Sequence, residues 1–192
     1  MPQQDRRIEV SEAAWKVIVR EGLDRTSMRA IARELDCTTG VVTHYFRDKQ
    51  ELILFALHQV TEKLKQAMEE VAEQPVSIER LIEMLCAFLP LDTERQEILK
   101  VWVAFLGYAV GRELLMLEHR ASAGELREVI IQELKTLQSI EKISQEIEPD
   151  VEANTLLALV NGIALDSLIQ AKHLNPKQQK MVIRRYFDRI TI

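Results

Sequence analysis

The sequence contains few cysteines, glycines and prolines, and these low counts limit the kinds of protein that it can be. Its two cysteines, Cys37 and Cys86, are too few for a disulfide framework and fit a reducing compartment. Six glycines and five prolines leave few breaks in 192 residues, while Leu, Ala, Glu and Ile are abundant, which favours an all-α fold. A hydrophobic content of 47% with 29% charged residues indicates a folded protein and not a disordered one.

Long apolar runs are also missing. The longest, residues 98–111, is interrupted by Lys100 and is shorter than the roughly 20 residues that a membrane-spanning helix needs. No secretory signal precedes the first charged helix, where Arg6 and Arg7 are followed by a mixed amphipathic pattern. We therefore expect a soluble, cytoplasmic protein with no membrane partner.

The chain has no excess of positive charge. Its formal net charge is −5, with nine basic and nine acidic residues in positions 1–58 and 16 basic and 21 acidic residues in the remainder. Binding to phosphates depends on local cations, because these release the counterions, and not on net charge. The N-terminal part can therefore bind nucleic acid only if its cations share one face, the candidates being Arg6, Arg7, Arg29, Lys49 and Arg47.

Apolar residues recur at helical spacing along the chain, and no segment predicts a strand. Gly22, Pro75 and Pro90 are placed to end helices, while Pro149 and Pro176 are placed to begin them. We predict nine helices: one at about 5–21, two short ones within residues 26–46, and six at about 49–73, 77–89, 93–119, 122–143, 149–172 and 176–188.

Residues 26–52, TSMRAIARELDCTTGVVTHYFRDKQEL, predict two short helices joined by a tight turn and followed by a third helix. Thr26 or Ser27 is the expected cap of the first, and Thr38 or Thr39 that of the second. Asp36 occupies the turn, and Asp tolerates left-handed backbone better than most residues. A helix-turn-helix of this kind places its second helix in the major groove of DNA.

The second short helix shows an outward face without Lys or Glu, which a merely solvated helix usually carries. Threonine and valine methyls can contact thymine methyls, while hydroxyls and imidazole can reach base edges or phosphates. An ordinary pair of packed helices is the alternative. The face favours double-stranded DNA as a partner, through Thr39, Val41, Thr43, His44 and Tyr45, with Arg29 from the preceding helix.

This segment resembles the DNA-binding domain of the TetR-type transcriptional repressors. TTGVVTHYFRDK is very similar to the branch of choline-responsive repressors of glycine-betaine synthesis, and KVWVAFLGYAV and ALVNGIALDSLI resemble it more loosely. Two positions in the turn depart from the family pattern, since Asp36 and Cys37 replace a usual Gly and Val. Thr43 stands where many relatives have tyrosine.

The resemblance implies a DNA-binding domain at residues 1–48 and a ligand-binding and dimerisation domain at 49–192. It implies phosphate contacts from Thr26 and Lys49 and a DNA-backbone contact from Tyr45. It also implies base-facing positions at Thr39, Gly40, Val41, Thr43 and His44, with Arg29 as a further base contact. We add Thr38, at the start of the recognition helix, to this DNA-binding set.

Aromatic residues in the larger domain suggest a cavity for a small-molecule effector. The effector would be apolar or amphipathic, and a cationic amphiphile is one of the options. For each residue, plain core packing is an equally good explanation. Choline would need several aromatic faces around its cation, and the chain has few, so the effector is not identified. The candidate pocket residues are Cys86, Phe88, Trp102, Phe105, Tyr108 and Met116.

The last two helices carry apolar stripes that look too broad for one neighbour. In the family that the chain resembles, such helices from two subunits form a four-helix dimer bundle, and a two-fold dimer reads a palindrome. The predicted interface residues are Leu157, Val160, Ile163, Ala164, Leu168, Met181 and Tyr186.

Motifs for catalysis, cofactors or metals are not found in the sequence. His58, His119 and His173 occur singly, and no HExxH, CxxC, phosphate-binding loop or catalytic triad is recognisable. The leading hypothesis is a ligand-responsive homodimeric repressor of a palindromic operator. Two alternatives remain: a helical protein-interaction module without DNA function, and a helical ligand-binding or enzymatic domain built around Trp102.

Overall fold

A computed structural model describes residues 3–191, apart from the side chains of Gln3, Gln4 and Glu118. Within this range the chain is all-α, as predicted, and its extended pairing is limited to one isolated bridge between Ile143 and Thr191. The helices are α1 (Gln3–Glu21), α2 (Met28–Glu34), α3 (Thr39–Tyr45), α4 (Lys49–Ala72), α5 (Ile78–Cys86), α6 (Thr93–Ala109), α7 (Glu113–Ser139), α8 (Pro149–Ile169) and α9 (Pro176–Phe187).

The chain divides into two compact units. Unit 1 comprises Met1–Glu62 and Glu97–Leu117, and unit 2 comprises Lys63–Gln96 and Glu118–Ile192. Helices α4, α6 and α7 each contribute residues to both units. The predicted boundary after residue 48 is a division by function and stays a prediction, whereas these units are defined by packing.

In unit 1, the helix-turn-helix rests on an apolar cluster from α1, α2, α3 and the start of α4. Val42 and Phe46, predicted to point inward, are both 0% exposed. Ala30 and Ala32 are small and buried, so α2 approaches its neighbours closely. The buried members are Val10, Ala13, Ala14, Val17, Ala30, Ile31, Ala32, Val42, Phe46 and Leu52.

The predicted turns of unit 1 are confirmed. Gly22 ends α1 with a φ of 79°, and Asp36 takes the left-handed conformation in the turn, with a φ of 50°. The cap of α2 is Ser27, whose hydroxyl accepts from the backbone N–H of Ala30 at 3.1 Å. Thr38 precedes α3 without a side-chain capping bond.

The predicted helix 93–119 is wrong, because the chain breaks ten residues earlier than that. Helix α6 ends at Ala109, Gly111 adopts a φ of 81°, and α7 begins at Glu113. The residues around Gly124, predicted to start a helix, lie inside α7. Apolar periodicity continues through a break of this kind, and only the positive φ, which glycine adopts without strain, marks it.

Unit 2 contains the larger core and a buried ion pair that the sequence pattern does not indicate. Arg80 on α5 donates to both carboxylate oxygens of Glu133 on α7, at 2.6 and 2.7 Å. The same guanidinium donates to the carbonyls of Ala72 and Gln74, at 3.1 and 2.7 Å. Arg80 therefore holds the C-terminal end of α4 to α5 and α7.

Among the described helices, α8 is long and apolar enough to cross a membrane by length and composition. Core helices of soluble proteins meet the same criterion, so this is weak evidence. One side of α8 lies in the core of unit 2 through Leu156, Val160 and Ile163. We interpret α8 as a core helix.

Candidate nucleic-acid interface

Helix α3 displays most of the predicted DNA-facing residues. Thr39, Gly40, Thr43 and His44 are exposed, as is Thr38 just before the helix. Val41 and Tyr45 are half-buried, and the Tyr45 ring meets the His44 imidazole edge-to-face at 4.9 Å. The exposed surface of this helix is therefore small and polar, and it carries no Lys, Arg, Asp or Glu side chain.

Thr43 and Gly40 show which groups the surface of α3 offers to DNA. The Thr43 hydroxyl donates within α3, where the carbonyls of Thr39 and Gly40 lie at 3.1 and 3.3 Å, so Thr43 offers DNA its methyl and its oxygen lone pairs. A Cβ at Gly40 would meet only the Thr38 Oγ1, at 3.6 Å, an ordinary contact. The fold therefore does not require glycine at position 40.

Thr26, for which the family resemblance implies a phosphate contact, is buried in this structure. It is 2% exposed, and its hydroxyl donates to the carbonyl of Gly22 at 2.9 Å. A phosphate oxygen only accepts hydrogen bonds, so this hydroxyl has no proton to give it while that bond exists. In this conformation the Thr26 side chain fixes the turn between α1 and α2.

Lys49 is half-buried at the start of α4, and its ammonium donates to the carbonyl of Leu23. The Nζ atom also lies 5.5 Å from the centre of the Tyr108 ring. Burial lowers the pKa of Lys49 from its ordinary value; the charge of Asp24 opposes this and that of Arg112 adds to it. Its ammonium is thus held by groups of unit 1.

The cations expected to share one face are mostly neutralised. Arg6 pairs with Glu9, Arg7 with Glu51, and Arg47 with Asp48. The Arg7 guanidinium also lies 4.8 Å from the Phe46 ring centre, so its role is to pack α1 against α3 and α4. Of the five candidates, Arg29 is exposed and makes no ion pair in the described part of the chain.

The sequence analysis missed two further arginines. Arg33 lies four residues after Arg29, on the same face of α2, and Arg25 lies in the turn before that helix. Both are exposed and, among the described residues, neither has an ion-pair partner. Carboxylate spacing alone does not separate Arg33 from Arg6, because Asp36 follows Arg33 by three residues as Glu9 follows Arg6. The difference is that Asp36 lies in the turn after α2, with a φ of 50°.

The predicted effector residues belong to two different clusters. Phe105 is 1% exposed in a cluster of unit 1, where Trp102, Tyr108 and Met116 pack as half-buried members. Cys86 and Phe88 belong to the cluster of unit 2, where burial raises the pKa of the Cys86 thiol. The structure thus provides the alternative role, core packing, for Phe105 and Cys86.

Most of the predicted dimer contacts are used inside the chain. Val160, Ile163 and Ala164 are 2%, 5% and 3% exposed, and Tyr186 donates its hydroxyl to Glu152 at the start of α8. Leu157 and Leu168 are half-buried, and Met181 is 56% exposed. The apolar stripe predicted to form the dimer interface is therefore mainly the core-facing side of α8. In an apolar helix the sequence does not show which side packs in the chain's own core.

The opposite side of α8 forms an exposed stripe. Its members are spaced four, three, four, three and four residues apart, as in a helix that packs along another helix. Two of them are small, and a Cβ at Gly162 would meet no atom within 4 Å. We call this the α8 stripe: Val151, Thr155, Ala158, Gly162, Leu165 and Ile169.

Comparison with known families matches most of the chain. Residues 11–55 match the family of bacterial regulatory proteins called tetR, and residues 77–191 match the C-terminal domain of the BetI-type transcriptional repressors. The HTH-type transcriptional regulator PksA of Bacillus subtilis is 29% identical over 198 residues, covering 100% of this chain and 95% of PksA. The regulator BetI of Vibrio vulnificus is 27% identical over 188 residues, covering 96% and 91%.

Solved structures agree with the fold over nearly the whole chain. A transcriptional regulator from Rhodococcus sp. Rha1 matches with a TM-score of 0.86 and 26% identity, covering 96% of this chain and 95% of that one. A regulator from Saccharomonospora viridis, solved in complex with choline, matches with a TM-score of 0.91 and 18% identity, covering 98% and 99%. At that lower identity the likeness concerns the fold alone.

These matches decide between the three hypotheses, since the enzyme and the interaction module are not favoured by any of them. The helix-turn-helix with its exposed α3 lies in the matched N-terminal part, and the C-terminal match extends to the end of α9. The chain therefore belongs to the TetR family of bacterial transcriptional regulators, with a C-terminal domain of the BetI repressor type, and it is a DNA-binding regulator rather than an enzyme.

Proposed function

We propose that the chain is a homodimeric repressor that binds a palindromic operator and releases it when a small-molecule effector binds. Regulators of this family bind operators, respond to effectors and are usually dimers. The observation that carries the proposal is the exposed, uncharged face of α3 above the fully buried Val42 and Phe46. Because those two side chains anchor α3, its outer face is fixed in orientation and can enter a groove as a rigid reader.

The proposed base readers are the exposed residues at the start of α3. Gly40 supports this assignment. The fold would tolerate a side chain at position 40, so the absence of one is better explained by a close approach of DNA to the backbone. His44 supplies the ring nitrogens, while the threonines supply methyls and acceptor oxygens. The set is Thr38, Thr39, Gly40, Val41, Thr43 and His44, with Tyr45 at the edge.

The proposed phosphate contacts come from α2 and from Lys49. The first helix of a helix-turn-helix crosses the DNA backbone, and the exposed face of α2 carries Arg29 and Arg33. Among the described residues no carboxylate neutralises either arginine. Arg33 can therefore release counterions at a phosphate, while Arg29 keeps the base contact that the family resemblance implies. This resolves the conflict between a neutral N-terminal segment and an anionic partner, because the uncompensated cations are concentrated at α2.

Replacing Arg33 with alanine tests this assignment. We expect Arg33→Ala to weaken binding to operator and to unrelated DNA alike, and to reduce the slope of log K against log salt by about 0.9 per subunit. The measurement is a fluorescence-anisotropy titration at several salt concentrations, using DNA from upstream of the chain's own coding sequence. Arg29→Ala should instead weaken the operator more than unrelated DNA, because base contacts discriminate.

The matched control is Lys135→Ala, which removes an exposed cation from α7 in unit 2 and should leave the slope unchanged. An unchanged slope for Arg33→Ala would contradict the phosphate assignment. Absence of any salt-sensitive binding by the folded wild-type dimer would contradict the proposed function itself.

The partner of the α8 stripe is proposed to be a second copy of the chain. Its heptad-like spacing suits packing against an identical helix across a two-fold axis, and Ala158 and Gly162 allow the two backbones to approach closely. Met181 on α9, predicted as an interface residue, is also exposed, at 56%. This arrangement keeps the dimer predicted from the sequence but moves its contacts to the other side of α8.

The effector is proposed to be small and amphipathic, acting through its different affinities for two conformations. All ten aromatic residues lie within the described range, and several of their rings are buried or contact a cation. Phe105 and Phe187 are each 1% exposed, and the Tyr108 ring already contacts two cations. The rings of Phe46 and Phe55 also face the Arg7 guanidinium. Because these aromatic faces already have partners, an uncharged effector is favoured over a quaternary ammonium.

We therefore expect choline to leave the melting temperature unchanged. An aromatic cage stabilises such a cation only when several ring faces surround it. The measurement is a thermal-shift titration with choline chloride up to millimolar concentration, with sodium chloride as the ionic-strength control and medium-chain acyl compounds in parallel. A saturable rise with choline alone, lost in Trp102→Ala, would show that the effector is cationic.

Because its target is chromosomal DNA, the proposed location of the protein is the cytoplasm.

A further inference from the structure

The ring of Tyr108, at the end of α6, contacts two cations of unit 1. The Arg112 guanidinium carbon lies 3.9 Å from the ring centre, and the same guanidinium donates to the Tyr108 carbonyl. Gly111, with its φ of 81°, provides the turn that brings Arg112 back over the ring. On the other contact, the Lys49 Nζ lies 5.5 Å from the ring centre, within the range of a cation–π interaction.

The second contact of the Lys49 ammonium lies in the turn that leads into α2. It donates to the carbonyl of Leu23, one residue after Gly22. The Leu23 side chain is 7% exposed in the same apolar cluster that includes Ala109 and, as a half-buried member, Tyr108. The ammonium is thus enclosed by the α1–α2 turn and the end of α6, and Asp24 is the carboxylate whose charge favours its protonated form.

We propose that Tyr108 is a positioning residue for Lys49: its ring and the Leu23 carbonyl form a seat that competes with DNA phosphate for the ammonium. This inference rests on the proposed function, in which Lys49 contacts a phosphate of the operator. The ammonium has three donors and uses one on the Leu23 carbonyl, so the seat opposes not the phosphate bond itself but movement of the ammonium toward the phosphate, which weakens its contacts in the seat. The seat therefore lowers operator affinity by the strength of those contacts.

The position of the seat allows the C-terminal part of the sequence to influence operator affinity. Tyr108 and Arg112 lie in the part of the sequence that matches the BetI-type C-terminal domain, yet they belong to the same compact unit as the helix-turn-helix. A change at the corner between α6 and α7 would move the ring and so change how firmly Lys49 is held. The corner can then set operator affinity without touching DNA.

A double-mutant cycle tests the proposal. Tyr108→Leu removes the ring face and is expected to tighten operator binding about two- to five-fold, the range of a partly exposed cation–π contact. Tyr108→Phe keeps the ring and should restore wild-type affinity. In a Lys49→Ala background, Tyr108→Leu should have no effect, because the ammonium that the ring holds is gone.

Other results would overturn the proposal. If Tyr108→Leu changes affinity equally with and without Lys49, or if it weakens binding, Tyr108 acts on the fold and not on Lys49. Should Tyr108→Leu melt well below wild type, Tyr108→Met serves instead, since it fills the space without a ring. Failure of the wild-type chain to bind any operator would contradict the proposed function, a result distinct from additivity in the cycle.

Discussion

Glu133→Ala is expected to lower the free energy of unfolding by about 3–5 kcal/mol, because it leaves a buried guanidinium without its counter-charge. The side chains of Arg80 and Glu133 are 9% and 13% exposed, and the carboxylate accepts two short hydrogen bonds. The loss also loosens the hold of Arg80 on the carbonyls of Ala72 and Gln74 at the end of α4. Urea unfolding followed by circular dichroism measures the change.

The matched control is Glu79→Ala in the same unit. Glu79 pairs with Arg184 at 3.6 Å, but both side chains are more than half exposed, so its removal should change stability by less than about 0.5 kcal/mol. Replacing both members of the buried pair, as in Arg80→Met with Glu133→Leu, should recover much of the loss because no isolated charge remains. Equal effects of Glu133→Ala and Glu79→Ala would contradict the importance of burial here.

Leu165→Arg is expected to abolish the dimer at micromolar concentration and to reduce operator affinity at least about 100-fold. A two-fold interface contains each residue twice, so two unpaired charges would be buried against apolar and small side chains. The folded chain itself should be unaffected, because Leu165 is 39% exposed. Sedimentation velocity measures the oligomeric state, and anisotropy titration measures operator affinity.

Val129→Arg is the control for this substitution. Val129 is 41% exposed on α7 in the same unit, but it lies outside the α8 stripe. It should leave both the dimer and operator binding intact. If Leu165→Arg remains dimeric, or if Val129→Arg dissociates equally, the α8 stripe is not the interface.

The local chemistry of the helix-turn-helix was predictable from residues 26–52. Ser27 is a good helix cap, Asp36 tolerates positive φ, and Val42 and Phe46 are apolar at helical spacing; the structure confirms each. These features depend on neighbours within a few residues of the chain. The family resemblance rests on the same stretch, which is why the regulator and its DNA partner were accessible without a structure.

The sequence was least informative where a residue's role depends on which neighbouring surface it packs against. An apolar α8 gave no indication that Val160 and Ile163 face the chain's own core while Leu165 faces outward. The cations of the N-terminal segment looked equivalent in sequence, yet Arg7 and Lys49 are held internally while Arg29 and Arg33 are free. The break at Gly111 was hidden by continuous apolar periodicity on both sides.

An all-α fold with a helix-turn-helix near the N-terminus could be predicted from the residues alone, because caps, turns and apolar periods act over a few residues. The packing of the folded chain sets three further features: which described cations are paired, which side of α8 is exposed, and the position of Lys49 near the Tyr108 ring. Each of these depends on groups far apart in the chain, such as Arg7 with Glu51 or Lys49 with Tyr108, and on the burial that their packing produces.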